Sequence, residues 1–248
     1  MTSRTLSRDA RHLALPQVGA DGQRRIAESS VLLIGVGGIG CPAAAYMASS
    51  GVGRIVVCDF DTVDETNLGR QVLYGPSHIG ELKADVAAAR LRKINPEIAV
   101  AAVTERLVGD ALAAAVRDAD VVLDGSDNFA TRFEVNAVCV AEGRRLISGS
   151  AIRFEGQLAV FGPDYSTSPC YACLYDEADE SIGDCAGNGV LAPVPGVIGT
   201  MMAVEALKFL SGVSTPAPLL RLYDGVESEF RRLGVSKRPD CPVCAGTS

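Results

Sequence analysis

The sequence predicts an α/β protein built on a mostly parallel sheet that antiparallel strands continue. Three observations support this fold class. Through the first two thirds of the 248 residues, short Val/Ile/Leu runs alternate with Ala-rich amphipathic segments, which is the pattern of βαβ units. A glycine-rich turn lies between the first such run and the segment that follows it. After Ala151 the alternation stops, and the last two apolar runs are spaced as a closing hairpin.

Each element follows from its local pattern. Five short, β-branched runs bounded by Gly, Asp or Asn predict buried strands at Val31–Ile34, Arg54–Cys58, Ile98–Val103, Val121–Asp124 and Arg145–Ser148. Amphipathic segments between them predict helices at Ile39–Ser50, Glu81–Ile94, Gly109–Arg117 and Asn128–Glu142. The remainder predicts a strand at Gln157–Phe161, a long loop over Gly162–Pro193, a helix from about Gly196 to Leu210, and a hairpin of Leu219–Tyr223 with Ser228–Leu233.

Charge and hydropathy exclude several classes of protein. With 30 acidic against 23 basic side chains the formal charge is −7, so binding to nucleic acid or to an anionic membrane is not expected. The most apolar stretch, Val194 to Leu210, contains Glu205 and Lys208 and is not expected to span a membrane. The N-terminus has no apolar signal region, so we expect a cytoplasmic protein whose eight cysteines are thiols or metal ligands.

The glycine-rich turn predicts a nucleotide site. Gly35, Gly37, Gly38 and Gly40 stand between a predicted strand and a helix, and Asp59 follows about 20 residues on, at the end of the next strand. Glycines let the backbone approach a phosphate, the helix N-terminus offers free N–H groups, and the carboxylate can accept from ribose hydroxyls. The fold is therefore predicted to be Rossmann-like. The alternative is a turn that only packs helix against strand.

A second group of polar residues indicates a triphosphate. Asn67, Arg70 and Gln71 follow the second strand, and Lys83 stands near the start of the next helix. A triphosphate carries close to four negative charges and needs several cations or a metal ion. Taken singly, each cation would more often be a solvated surface residue.

A third group lies at the carboxyl end of the strand that ends at Asp124, where ligands bind in open α/β sheets. Here Asp127 is predicted to hold Mg²⁺, with Asn128 beside it. The alternative is that Asp127 is the N-cap of the following helix, and the two roles are compatible.

Two C-x-x-C pairs give the strongest signal by spacing. Together they predict a tetrahedral zinc site in the C-terminal third, with the ligands Cys170, Cys173, Cys241 and Cys244. Four thiolates leave no open position on the metal, so the zinc would be structural. A thioredoxin-like redox pair is the alternative.

The other cysteines carry weaker signals. Cys41, Cys58 and Cys139 lie in apolar segments and are expected in the core. Cys185 lies in the long acidic loop, where neighbouring carboxylates would raise its pKa, so its residues alone predict an exposed structural cysteine.

Together these residues resemble the ThiF/MoeB/HesA adenylyltransferases, bacterial relatives of ubiquitin-activating enzymes, from Arg8 to Gly246. The resemblance is carried by DGQRRI, GVGGIG, DFDTVDETNLGRQ, Lys83, LDGSDN, both C-x-x-C pairs and GVIGTMMAVEALKFLSG. It implies one adenylation domain over 1–248, with a nucleotide-binding half at about 28–150 and a carrier-binding half with the zinc site at about 151–248.

The resemblance also implies an activity. Members form an acyl adenylate between AMP and the C-terminal glycine of a ubiquitin-like sulfur carrier (ThiS- or MoaD-like), release pyrophosphate, and so prepare a thiocarboxylate for thiamine or molybdenum cofactor biosynthesis. Position by position, the resemblance implies that Arg70 and Lys83 clamp the phosphates of ATP and Asp127 binds Mg²⁺. It implies that Asp59 and Asp61 hold the ribose region and Gly38 faces the nucleotide.

The same resemblance implies partners. Arg11 would reach the site of the other subunit, so a homodimer is expected. Cys185 matches a loop cysteine of thiamine-pathway members that is thought to act in sulfur transfer. No rhodanese-like domain follows Ser248, so the sulfur donor is expected to be a separate protein.

Three other functions stay open on the sequence. An NAD-dependent oxidoreductase would use the same glycine turn. A tRNA-modifying dehydratase of the same superfamily would need a basic surface, which the charge of −7 disfavours. A non-catalytic half of a heterodimer is disfavoured because Arg11, Arg70, Lys83 and Asp127 are all present.

Overall fold

The computed structural model describes residues 8–176, 189–213 and 218–246. In chain order its strands are β1 (Ser30–Ile34), β2 (Arg54–Cys58), β3 (Ala99–Val103), β4 (Val121–Asp124), β5 (Arg145–Ile152), β6 (Glu155–Phe161), β7 (Leu219–Asp224) and β8 (Glu229–Leu233). The α-helices are α1 (Ala10–Leu13), α2 (Gly19–Glu28), α3 (Gly40–Ser49), α4 (Lys83–Ile94), α5 (Gly109–Arg117), α6 (Phe129–Ala141), α7 (Tyr171–Leu174) and α8 (Pro193–Ser211). Short 3₁₀ turns form at Glu65–Asn67 and Pro76–His78.

The strands form one sheet in the order β3-β2-β1-β4-β5-β6-β7-β8. Strands β1 to β5 pair in parallel, and β6, β7 and β8 continue the sheet in antiparallel fashion. Strands β2 and β3 lie on one side of β1, and β4 and β5 lie on the other side, so the strand order reverses at β1. The carboxyl ends of β1 and β4 therefore border a crevice, the position where open α/β sheets bind ligands. The predicted Rossmann-like fold is confirmed.

The two faces of the sheet carry separate apolar clusters because side chains alternate along each strand. In β1, Val31 and Leu33 belong to the cluster under α3, α4 and α8, whereas Leu32 and Ile34 belong to the cluster under α5 and α6. Both faces of β1 and β4 are thus buried, which explains why these two strands are almost continuously apolar.

The predicted strands all form, and the largest change in length is in β5. The prediction ended at Ser148, where pairing with β4 ends. The strand continues to Ile152 because residues 149–152 pair with β6 in antiparallel fashion. Sequence periodicity does not register such a change of partner.

Three helices were not predicted. Helices α1 and α2 precede the first strand, and α7 lies within the stretch predicted as a loop, so that part of the prediction is wrong. Helix α2 is polar except for a narrow stripe around Ile26. A contact with another helix stabilises it: the Arg25 guanidinium donates to the Ser211 carbonyl at the end of α8, at 2.6 and 3.0 Å.

Helix α8 is the longest helix among the described residues. By length and composition it could span a membrane, but 56% of its apolar window is buried inside the structure. It packs on α3, β5 and β6 as a core helix. Its buried Glu205 is held by Lys208 at 2.8 Å.

Helix α8 lies so close to the start of α3 that one position requires glycine. A Cβ added at Gly199 would lie 2.1 Å from the Ile39 carbonyl oxygen and 2.7 Å from Pro42 Cγ. We expect Gly199→Ala to lower the free energy of unfolding by about 1–3 kcal/mol or more, because backbone must move. Gly196→Ala is the control in the same helix: its Cβ meets nothing within 4 Å, so a gain of up to about 1 kcal/mol is expected. Urea unfolding of both variants measures the difference, and equal stabilities would contradict the packing argument.

Candidate active site

Two loops at the carboxyl ends of β1 and β4 form the centre of the crevice. Gly35 adopts φ +80°, and an added Cβ would lie 3.0 Å from the backbone of Gly125 and Ser126. Only glycine meets both conditions, left-handed backbone and close contact. The two loops are therefore in direct backbone contact, and their polar residues face one space.

The backbone of the glycine loop is held at Val36 from both sides. The Val36 N–H donates to Asp59 Oδ2 at 2.8 Å, and the buried Tyr74 hydroxyl donates to the Val36 carbonyl at 2.8 Å. The other oxygen of Asp59 accepts from the Asp61 N–H at 3.0 Å. Burial raises the pKa of Asp59 above its ordinary value, although the Val36 hydrogen bond and the Lys83 charge oppose this. Asp59 thus fixes the loop that it follows in sequence.

A pocket of about 180 Å³ lies between these loops and the start of α8. Its charged wall residues are the cations Arg70, Lys83 and Arg132 and the carboxylates Asp59, Asp61 and Asp127. Lys83 Nζ is 3.0 Å from Asp61 Oδ2, and its side chain is only 8% exposed. Arg70 donates one N–H to the Thr66 carbonyl at 2.9 Å. The wall is thus close to neutral, with cations and carboxylates on the same surface.

The structure brings most of the predicted nucleotide-site residues to this pocket: Gly35, Gly37, Gly38, Asp59, Asp61, Arg70, Gln71, Lys83 and Asp127. Gly40 begins α3 behind the loop. Asn67 is outside the pocket lining, and its side chain accepts from the Asp64 N–H in a capping box. Arg11 is exposed on α1 and lines none of the three pockets described for residues 8–176, 189–213 and 218–246. Cys185 lies outside the described residues.

The loop after β4 differs from one prediction. Asn128, not Asp127, is the N-cap of α6: its side chain accepts from the Thr131 N–H at 2.9 Å. The N-cap prediction for Asp127 is therefore wrong, because the helix begins one residue later. Asp127 is left exposed at the junction of three pockets.

Two further pockets adjoin the first. A pocket of about 70 Å³ continues past Asp59 toward Phe60 and Leu107. On the other side, a cavity of about 400 Å³ extends over the antiparallel strands between Gln157, Tyr175 and Tyr223. We call it the sheet cavity. It shares Asp127, Arg132 and Ala151 with the first pocket.

Arg132 is a site residue that the sequence analysis missed. It is 6% exposed, donates to the Ser126 carbonyl at 2.6 and 3.2 Å, and stands 5.6 Å from the centre of the Phe129 ring. It lines both the charged pocket of about 180 Å³ and the sheet cavity. An arginine in the first turns of an amphipathic helix carries no sequence signal that separates it from a surface residue.

The four predicted zinc ligands are brought together. Cys170 Sγ is 3.7 Å from Cys241 Sγ, Cys173 Sγ is 3.5 Å from Cys244 Sγ, and one ligand atom from each lies within 4.8 Å of the others. Zinc with bonds of about 2.3 Å in a tetrahedron requires sulfur separations of about 3.8 Å, whereas a disulfide requires about 2.05 Å. The cluster fits a four-coordinate metal. Cys41, Cys58 and Cys139 are buried, as predicted.

The open sheet, the glycine loop and the charged pocket at the switch point define a Rossmann-type nucleotide-binding protein. The ThiF family matches residues 10–243. The sulfur carrier protein ThiS adenylyltransferase of Escherichia coli K12 is 46% identical over 100% of this chain and 98% of its own. The adenylyltransferase and sulfurtransferase MOCS3 of Mus musculus is 45% identical over 96% of this chain, which spans only 54% of that relative.

Among solved structures, E. coli MccB with AMPCPP and MccA matches with a TM-score of 0.77 and 25% identity, over 92% of this chain and 70% of that one. The chain belongs to the ThiF family, and it is an adenylyltransferase.

Proposed function

We propose that the enzyme uses ATP to adenylate the C-terminal glycine of a small ubiquitin-like sulfur carrier protein, with release of pyrophosphate, and so prepares the carrier for thiocarboxylate formation. One observation carries the proposal: the charged pocket opens into the sheet cavity, and Asp127 and Arg132 stand at their junction. A nucleotide in the first pocket and a chain terminus in the second would meet there. The named relative that acts on ThiS supports this substrate class.

The charged pocket suits a magnesium-bound triphosphate. The charges of its three cations and three carboxylates nearly cancel. Without a metal ion, almost all of the roughly four negative charges of a triphosphate would therefore remain uncompensated. The exposed carboxylate of Asp127 is the group that would hold Mg²⁺, which keeps most of its waters and needs one or two protein carboxylates. Bound Mg²⁺ would withdraw charge from the phosphate oxygens.

Five further residues of the pocket have a defined task in this proposal. Lys83 and Arg70 bind phosphate oxygens, and Asp59 and Asp61 face the ribose. The amide oxygen of Gln71 is buried in the wall and has no hydrogen-bond partner among the described residues, so a ligand donor would satisfy it. The pocket near Phe60 and Leu107 would take the base.

The reaction needs no general base. A terminal carboxylate is ionised at neutral pH, so it can attack the α-phosphorus directly while the bond to pyrophosphate breaks. Charge builds on the phosphoryl oxygens and on the leaving group, and positioned cations lower the barrier. The absence of a Ser/His/Asp arrangement around the described pockets is consistent with this chemistry.

Several further features complete the proposal. The four-cysteine cluster holds a structural zinc ion. The enzyme acts in the cytoplasm as a homodimer in which Arg11 reaches the partner's site, and residues 151–248 form its carrier-binding half. Cys185 takes part in the later sulfur step. The chain is 46% identical to the ThiS-type relative and 45% identical to the MOCS3-type relative, so sequence identity does not separate the two carriers. The chain spans 98% of the first relative and 54% of the second, and on this coverage we propose a ThiS-type carrier.

The test is exchange of labelled pyrophosphate into ATP with purified ThiS-type and MoaD-type carriers in parallel. We expect exchange only with a carrier present, and mass spectrometry should detect the carrier adenylate. A carrier that lacks its last glycine is the matched control and should give none. Exchange without any carrier, or with the truncated carrier, would contradict the adenylation proposal. Preference for the MoaD-type carrier would contradict the proposed ThiS-type carrier and leave the adenylation itself supported.

A further inference from the structure

One row of side chains crosses the floor of the sheet cavity. Ser150, Gln157, Leu222 and Arg231 are direct partners in the registers of β5, β6, β7 and β8, and all four line the cavity. Residues directly opposite each other on neighbouring strands lie on one face of a sheet. The row is therefore continuous, and Gln157 stands in it one strand away from β5.

The amide of Gln157 is oriented by a hydroxyl on the opposite wall. Tyr175 Oη donates to Gln157 Oε1 at 2.6 Å. This length is typical of an O–H···O bond, whereas N–H···O bonds are most often about 2.9–3.0 Å long, so the amide oxygen faces the hydroxyl. Among the described residues, Tyr175 is the only hydrogen-bond partner of this amide. The Nε2 atom therefore remains as a donor for a ligand in the cavity.

The ring of Tyr175 is fixed by other aromatic side chains. Its centre lies 6.0 Å from that of Phe129, edge to face at 66°, and 4.9 Å from that of Tyr171. Such contacts give an aromatic ring a preferred orientation. The hydroxyl therefore reaches the floor from a defined position, and the amide of Gln157 is oriented in turn.

Gln157 lies close to the place where the two pockets meet. Ala151, which follows Ser150 on β5, lines both the charged pocket and the sheet cavity, as Asp127 and Arg132 do. Neighbouring strands are about 4.8 Å apart, and an extended chain advances about 3.3–3.6 Å per residue. A peptide whose terminal carboxylate lies at this junction would therefore bring one of its last two peptide carbonyls to Gln157.

We propose that Gln157 is a substrate-binding residue, and that its Nε2 donates to a main-chain carbonyl within the last two peptide groups of the carrier. Tyr175 is a positioning residue, because it acts by orienting this amide. The inference rests on the proposed function and names the contact by which the sheet cavity would hold the carrier terminus. A main-chain contact is independent of side chains, so Gln157 would contribute affinity for an extended terminus rather than for a particular sequence.

Two substitutions of Gln157 isolate the donor. Gln157→Glu keeps an oxygen for the Tyr175 hydroxyl but replaces the donor by a second oxygen, which repels a peptide carbonyl. We expect the KM for the carrier to rise about 10-fold or more, because repulsion adds to the lost hydrogen bond. Gln157→Leu removes the donor without adding charge and should raise this KM about 5-fold. The KM for ATP should not change in either variant, and steady-state pyrophosphate release measures both constants.

Tyr175→Phe tests the positioning role. Phenylalanine keeps the ring in its aromatic contacts and removes the hydroxyl, so the amide of Gln157 loses its fixed orientation. We expect the KM for the carrier to rise about 2–5-fold, the effect of losing part of one hydrogen bond, while the KM for ATP stays at the wild-type value. A purely structural role of Tyr175 would lower the melting temperature without separating the two KM values.

Each kind of substitution has a matched control. Gln17→Glu makes the same change of charge at an exposed position that lines none of the three described pockets. Tyr165→Phe removes a buried tyrosine hydroxyl that donates to the Arg144 carbonyl at 2.8 Å, also outside these pockets. We expect both controls to keep the wild-type KM for the carrier and for ATP.

The outcomes separate this inference from the proposed function. A wild-type enzyme without carrier-dependent pyrophosphate exchange would overturn the proposed function and the inference with it. With an active wild type, an unchanged carrier KM in Gln157→Leu would overturn the inference alone, since any rise in Gln157→Glu would then be an effect of charge. Equal rises in the KM for ATP and for the carrier, or an equal rise in the controls, would also overturn it.

Discussion

Lys83→Ala is expected to lower the turnover number for carrier adenylation by a factor of about 10²–10³, the typical effect of removing one preorganised charge-stabilising group. The Nζ atom is fixed in the pocket by Asp61 at 3.0 Å, and its side chain is 8% exposed. Because water reaches it poorly, its field on the phosphates is screened little. The loss would fall mainly on turnover, since the charge on the phosphates grows as the pyrophosphate leaves.

The fold should survive this substitution. Asp61 is 53% exposed and remains hydrated when its partner is removed. Lys93→Ala, on the exposed face of the same helix, is the control and should match the wild type in turnover and in melting temperature. Steady-state pyrophosphate release measures both variants. A folded Lys83→Ala enzyme with wild-type turnover would show that Lys83 has no role in the reaction.

The nucleotide half was the more predictable part because its signals are local. A strand, a glycine turn and a helix follow one another within residues 31–50. The predicted phosphate-binding cations, Arg70 and Lys83, lie close together in the sequence, within residues 67–83. Parallel strands bring their carboxyl ends to one edge, so motifs that are distant in sequence meet there without further information. This is why residues such as Asp59, Lys83 and Asp127 could be grouped before the fold was known.

The missed features depend on contacts across the fold. Tyr74 holds the Val36 carbonyl across 38 positions of sequence, and Arg25 holds the end of α8 across 186. Arg132 looks like a surface arginine until Ser126 and Phe129 are folded around it. Periodicity describes one segment at a time, so it does not report such pairings. The four cysteines are the exception, because metal-ligand spacing itself implies a long-range contact.

On the proposed zinc site, Cys241→Ala is expected to have the largest effect on stability, lowering the free energy of unfolding by more than about 4 kcal/mol, as is typical when a structural metal is lost. Among the described residues that follow β8, 234–246, which include Cys241, there is no strand or helix. The attachment of this segment includes the cysteine pairs and the contacts of Lys237 with the Tyr165 and Ser166 carbonyls. Three thiolates without their metal would leave buried charge or be protonated, and either state loosens the cluster.

Cys139→Ala separates metal loss from the loss of a buried sulfur atom. Cys139 is 0% exposed on α6, outside the cluster, so its replacement should cost about 1 kcal/mol and leave the zinc content unchanged. Zinc analysis by mass spectrometry and guanidinium unfolding measure both variants. We expect the Cys241 variant to lose zinc and to be cut by protease within residues 235–246, while the crevice between β1 and β4 still binds ATP. A zinc-free variant as stable as Cys139→Ala would show that the metal does not hold the segment.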